Sequence, residues 1–159
     1  MTFEELTTYL TEKFGDKIEL LESGKSEPFY LIKKENLLEI CKAVKTDDKL
    51  QIDFLCNIGA VDTGGEDKKF EVVYNLASVK KKIRFDLKLV MEHDGAEIDS
   101  VQEVWPCSNW YEREMWELYG INIKNHNNLK RFLLPDEWDQ GHPMLKDWDA
   151  PDFKRLPEV

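Results

Sequence analysis

The chain has 159 residues, 42% of them hydrophobic, and carries 22 Lys and Arg against 32 Asp and Glu, for a net charge of −10. Single domains usually run about 100 to 150 residues, so this length supports one domain with a real core; it is too apolar for disorder and too charged for a membrane protein. The negative excess is even, −3, −3 and −4 over residues 1–50, 51–100 and 101–159, which argues against nucleic acid as the main ligand, because phosphate binding needs clustered Lys and Arg.

No window approaches the roughly 20 apolar residues of a membrane span. Met1 to Leu10 holds two glutamates and no basic residue, which predicts neither a secretory signal nor an Arg-rich transit peptide. Cys41, Cys56 and Cys107 stand 15 and 51 residues apart. That spacing forms no CxxC pair and no disulfide framework, so it points to a reducing compartment and to no iron–sulfur cluster held by this chain alone.

Phe3, Leu6, Leu10 and Phe14 repeat at helical spacing, with Thr2-x-x-Glu5 as a capping box and Gly15 as a stop. Residues 18–22 and 28–32 read as two strands joined across Ser23 to Ser26. From Glu35 to Val44, the residues Leu37, Leu38, Cys41 and Val44 mark a second amphipathic helix. Strand signals follow over 50–61, 69–76 and 82–90. In the last, Ile83, Phe85, Leu87 and Leu89 alternate with Arg84, Asp86 and Lys88, so one face is buried and the other solvated. Between the first two, Asp62 to Glu66 has hairpin chemistry. The result is an α+β two-layer fold in the order α-β-β-α-β-β-β, a mixed or antiparallel sheet covered by helices.

The chain changes character after residue 100, where all five tryptophans and five of six prolines lie. Asn109-x-x-Glu112 reads as a capping box and Gly120 as a stop, predicting a short C-terminal helix over about 110–119. From Ile121 no period persists and Pro135, Pro143, Pro151 and Pro157 punctuate an extended tail of little regular structure. The expected division is a compact domain over 1–120 and a partner-wrapping tail over 121–159.

Glu112, Arg113, Glu114 and Glu117 put three carboxylates and a guanidinium within two turns of that helix. They could form a general acid/base pair with one raised pKa, which would need a pocket. Alternatively, Glu112 caps the helix, Arg113 reaches Glu117 at i+4, and arginine anchors a neighbouring loop or chain. His126 and His142 are candidate metal ligands, but 16 residues apart and without a cysteine they fall outside the short-spaced pairs of zinc sites; hydrogen bonding to tail carbonyls is the competing role. His93 reads as a solvated turn residue. Lys68-Lys69 and Lys80 to Lys82 read as solvated strand ends, a weak anionic-surface role being the minority reading. No dinucleotide, Walker or nucleophile-elbow motif occurs. An extended segment holding Phe132, Leu133, Leu134, Trp138, Trp148 and Phe153 has the aromatic and arginine anchors with which chains wrap partners.

The run from Trp105 to Ile121, followed by His126, Lys130, Arg131 and the stretch to Trp138, resembles the C-subunit family of proton-translocating NADH:quinone oxidoreductase, bacterial respiratory complex I. The family signature falls on Glu112, Arg113, Glu114, Glu117, His126 and Lys130. Residues 60–62 and 70–76 resemble its paired strands, and Gly141-His142-Pro143 with Lys146-Asp147-Trp148 resembles its tail. Residues 1–49 agree only in layout. The sequence departs from the family at Asn125-His126-Asn127, where Gly-His-Pro is usual, at Phe132, and at Met144-Leu145, where Leu-Arg is common.

The resemblance implies a non-catalytic peripheral-arm subunit with no cofactor or metal of its own, FMN and iron–sulfur clusters being held by other chains. It implies docking on the D-type subunit, which helps to form the quinone site, beside iron–sulfur subunits on the cytoplasmic side of the inner membrane. Glu112, Arg113, Glu114, Glu117, His126, Lys130, Arg131, His142, Lys146 and Asp147 become the expected docking residues. A membrane-bound hydrogenase or other related redox complex is the alternative setting. A free-standing carboxylate hydrolase and a metal enzyme built on His126 and His142 are the readings of a different class.

Overall fold

A computed structural model describes residues 1–21, 29–66 and 68–150. Helix α1 spans Phe3–Phe14 and closes the expected capping box: Thr2 N–H donates to Glu5 Oε2 at 2.8 Å and Glu5 N–H to Thr2 Oγ1 at 3.2 Å. Leu6, Leu10 and Phe14 enter the core, whereas Phe3, in the first turn, stays exposed. Strands β1 (Ile18–Leu21) and β2 (Phe29–Ile32) pair antiparallel; their expected connection, Ser23 to Ser26, lies outside the described residues. A 3₁₀ turn over Lys34–Asn36 leads into α2, Leu37–Thr46, which buries Leu37, Ile40, Cys41 and Val44.

Beyond α2 come β3 (Phe54–Asp62), β4 (Lys69–Ser78) and β5 (Ile83–Glu92). The five-stranded sheet has the order β1-β2-β5-β4-β3 and is antiparallel except for the β2–β5 pair. It is therefore mixed, and the long connection from β2 through α2, β3 and β4 is what a parallel neighbour requires. Ile83, Phe85, Leu87, Leu89 and Met91 of β5 join Phe70, Val72, Tyr74 and Leu76 of β4 on the inward side. Full burial of such side chains stabilises by about 1.5–3 kcal/mol each, which makes this pair the centre of the core. On the outer side Lys88 pairs with Glu71 at 2.7 Å and lies over the Phe29 ring.

Beyond β5 the chain holds a short strand for which no sequence signal was read, β6 (Glu97–Asp99). It leads to α3, Ser108–Tyr119, and then to β7, Asn122–Lys124, which pairs parallel with β6. Ile98 and Ile123 are buried in this small sheet, and Ile121 is fully enclosed. Packed structure thus continues past residue 120, because the chain on either side of α3 must be tied together to hold the helix against β3. Trp105 Nε1–H and Tyr111 O–H complete the seam, donating to the carbonyls of Ile52 (3.3 Å) and Cys56 (3.1 Å).

Candidate functional site

Helix α3 buries Ser108, Glu112, Arg113, Met115 and Glu117, so three of its five buried residues are formally charged. Its first residue is Ser108 and its N-cap is Cys107, without a side-chain cap. The expected Asn109–Glu112 capping box is therefore corrected. Glu112 lies a full turn inside the helix, where its carboxylate points to the preceding segment. Its Oε2 accepts from Ser100 Oγ and its Oε1 from Val101 N–H, both at 2.7 Å.

The expected Arg113–Glu117 pair is also absent. Arg113 Nε–H donates to the Lys130 carbonyl at 2.7 Å and Nη2–H to the Arg131 carbonyl at 3.2 Å. Glu117 accepts the N–H groups of Phe132, Leu133 and Leu134, the last at 2.6 Å. A segment with no helix or ladder must still satisfy its backbone polar groups. Here two side chains of α3 satisfy five consecutive residues of the tail, through charge-assisted bonds roughly twice as strong as neutral ones.

The rest of the tail is held by single points. Gly120 closes α3 at φ +78°, and a Cβ there would stand 2.6 Å from His142. His142 Nδ1–H donates to the Glu117 carbonyl at 2.9 Å, and Met144 N–H to the Leu118 carbonyl at 3.1 Å. Further on, Lys146 N–H reaches buried Asp62 at 2.7 Å, and Asp147 pairs with Lys68. Asp62 also accepts from Gly64 N–H and contacts His93 Nε2 at 2.9 Å, while His93 stacks on Phe70. His93 is thus a structural residue and not a solvated turn. Burial opposes ionisation of Asp62, but the Lys146 and Gly64 N–H groups and His93 outweigh it and hold the carboxyl below the usual range.

His126 has no exposed side-chain surface and lies with Nε2 3.8 Å from Glu112. Asn128 N–H donates to its Nδ1 at 3.1 Å, so the proton of the neutral ring sits on Nε2, within 3.3 Å of the Asn109 carbonyl. A protonated Nε2 cannot accept from the Gln102 amide nitrogen placed 2.6 Å away, so that amide must turn its oxygen to the ring. Burial, reinforced by the Arg113 charge, lowers the His126 pKa, and burial raises that of Glu112 over the opposing hydrogen bonds. Asn125 adopts φ +60°, a conformation asparagine tolerates far better than most residues.

The acid/base reading requires a pocket. Glu112 has the raised pKa but is 0% exposed, and Glu114 faces solvent. Clefts of about 460 Å³, beside Lys33 and Glu92, and about 410 Å³, beside Ser100 and Asn127, include neither carboxylate. His126 and His142 are engaged on separate backbone groups. Among the described residues no set of three His, Cys, Asp or Glu is placed to hold a metal, and no helix is long and apolar enough to cross a membrane.

Sequence reasoning missed Asp62, His93 and Asp47. Asp47 ends α2 and accepts from Tyr9, Lys13, Lys49 N–H and Leu50 N–H. Burial works against its charge, but these bonds prevail and bring its pKa to about 2. The Asp-x-Gly spacing at Asp62 and the Asp-x-Lys spacing at Asp47 were the available signals, both of the Asx-turn kind.

A mixed sheet with helices on its inner side is followed by a tail pinned to charged side chains of α3, whose buried carboxylates line neither of these two clefts. The family model for the 30-kDa subunit of respiratory-chain NADH dehydrogenase matches residues 30–154. The C-type subunit of NADH-quinone oxidoreductase from Citrifermentans bemidjiense is 38% identical over 139 residues, covering 87% of this chain and 84% of that protein. The C-type subunit of F(420)H(2) dehydrogenase from Methanosarcina mazei is 38% identical over 144 residues, covering 89% and 88%. In fold, the chain superposes on a chain of the archaeal membrane-bound sulfane sulfur reductase with a TM-score of 0.77 at 19% identity, covering 98% and 95% of the two chains. A trypsin-resistant fragment of Nqo5 gives 0.66 at 22%, covering 78% and 98%. The chain belongs to the 30-kDa, or C-type, subunit family of respiratory complex I.

Proposed function

We infer that this chain is a non-catalytic peripheral-arm subunit of a proton-translocating NADH:quinone oxidoreductase. It supports assembly by docking on the D-type subunit at the quinone site and on neighbouring iron–sulfur subunits, at the cytoplasmic side of the inner membrane. Electrons from NADH pass through FMN and clusters in other chains. One observation carries this reading. Glu117 and Arg113 hold the tail backbone over residues 130–134, and yet Trp110, Phe132, Leu133 and Met144 remain 56, 38, 51 and 50% exposed. A chain that fixes a segment so firmly while leaving its large apolar groups outward has prepared a surface for a partner.

The Methanosarcina relative favours a second setting, in which the same subunit serves a complex with another electron donor. Affinity purification of the tagged full-length chain from its native cells, with mass spectrometry and metal analysis, separates these. Co-purification of a quinone-site homologue with NADH-oxidising subunits supports the first setting, and co-purification with a different input module supports the second. A lone chain carrying stoichiometric metal contradicts both.

A further inference from the structure

In a chain of net charge −10, seven lysines among the described residues stand in ion pairs with carboxylates: Lys13, Lys17, Lys42, Lys68, Lys69, Lys88 and Lys124. Arg113, Lys130 and Arg131, like several exposed lysines, stand in no such pair, and Arg113 does so while buried. The Arg113 guanidinium is bonded to the backbone carbonyls of the other two residues, which fixes their backbone against α3. None of them has a carboxylate within ion-pair distance among the described residues. Glu117, the nearest candidate along the helix, has both oxygens occupied by the N–H groups of 132–134. Among the described residues Arg131 Nη1 meets the Asp136 carbonyl, at 3.4 Å.

Arg113 is 7% exposed, and arginine is seldom this buried without a counter-charge. Its guanidinium carbon lies 4.7 Å from the Trp110 ring centre and 4.8 Å from that of Phe132, and the two rings are 5.2 Å apart. These separations place it in the corner of an edge-to-face aromatic pair. Two of its nitrogens are used on backbone carbonyls, and Nη1 has no hydrogen-bond partner among the described residues. Lys130 and Arg131 are exposed and immediately precede Phe132 in the chain.

We propose that the ridge of Trp110, Phe132 and Leu133, with Arg113, Lys130 and Arg131, docks against an acidic surface of a neighbouring subunit whose carboxylates border an apolar groove. This rests on the docking role inferred above and adds the chemistry of the partner. The aromatic side chains supply buried area, and the cations supply register and orientation, since complementary charge steers encounter and excludes wrong partners.

The test uses the intact complex purified from native cells with the full-length chain. A photo-cross-linking phenylalanine analogue introduced at position 132 reports whether the ridge touches another subunit at all; no inter-subunit product overturns the docking role itself. Zero-length carbodiimide coupling of the unmodified complex then reads the chemistry. The expected result is an amide between Lys130 and an Asp or Glu of the same subunit that the photo-probe captures. The paired substitution Lys130→Glu with Arg131→Glu, on two exposed side chains, is expected to speed loss of the chain from the complex by at least about tenfold. A photo-product without any inter-subunit amide at Lys130, or with only an amide to this chain's own carboxylates, overturns the acidic partner while leaving docking intact. Unchanged retention of the doubly substituted chain overturns it as well.

Discussion

The β4–β5 pair and the tail from Lys130 to Trp148 solve the same problem by opposite means. In the sheet, ten consecutive residue pairs from Lys69↔Glu92 to Ser78↔Ile83 satisfy one another through the backbone, and side chains are free to alternate between core and solvent. In the tail, backbone groups are satisfied by side chains drawn from elsewhere: Arg113, Glu117 and Asp62. A ladder distributes its stability over many weak, replaceable bonds, whereas the tail depends on a few charged residues. The first arrangement is cooperative with the whole domain. The second can be released locally, and it presents apolar side chains outward.

The largest expected effect falls on the sheet. Leu87, fully buried between Tyr30 and Tyr74 in register, should cost about 2–5 kcal/mol of global stability on substitution by alanine, seen as an earlier denaturation midpoint by circular dichroism. Tail protection should fall only as far as global unfolding requires. A smaller loss is expected at Gly120→Ala, where a positive φ of 78° and the 2.6 Å approach to His142 both oppose a side chain. Strain of this kind costs about 1–3 kcal/mol. It should appear as a loss of hydrogen-exchange protection at Met144, whose N–H is bonded to the Leu118 carbonyl.

Replacing Asp47 by Asn tests a side chain that acts for the compact domain and not for the tail. Its pKa of about 2, against 3.8 unfolded, corresponds to about 2 kcal/mol. That stability is present above pH 3.8 and is lost as pH falls through the folded value. Acid titration of the wild type and of Asp47→Asn should therefore converge near pH 2.

The smallest effect is a pH dependence. His126 is harder to protonate folded than unfolded, so the unfolded chain binds more protons once pH falls below about 6.5, and stability is lost there. Glu112 has the opposite sign: with its pKa raised by burial, the folded chain takes up its proton first, and stability is gained as pH falls through the raised value. Substituting His126→Gln isolates the first effect. Between about pH 7.5 and 5.5, a window that spans the ordinary histidine pKa, the stability difference should move in favour of the variant; a difference independent of pH would show that the ring does not carry this linkage.

The same contrast explains what could be read from sequence. The strict alternation of Ile83 to Leu89 and the Thr2–Glu5 capping box report local geometry, and both sit in the structure where their periodicities place them. Asn109 and Glu112 have capping-box spacing too, but spacing cannot say whether a carboxylate turns toward its own helix end or toward Ser100, twelve residues earlier. Glu117 and its N–H partners are 15 to 17 residues apart, His93 and Asp62 are 31 apart, and Asp62 and Lys146 are 84 apart. None of these leaves a local period. The family motif marked Glu112, Arg113, Glu117 and His126 together, and it is the resemblance, not the periodicity, that made this part of the site legible.

Charged side chains of α3 hold the tail in place while the sheet domain stands by itself, and residue-resolved hydrogen exchange of the full-length chain and of Glu117→Ala tests this most directly. The expected result is roughly a hundredfold loss of protection at residues 132–134, about 3 kcal/mol at 1.4 kcal/mol per tenfold, with β4 and β5 nearly unchanged. Equal loss of protection in the sheet and the tail, or unchanged protection at 132–134, would contradict it.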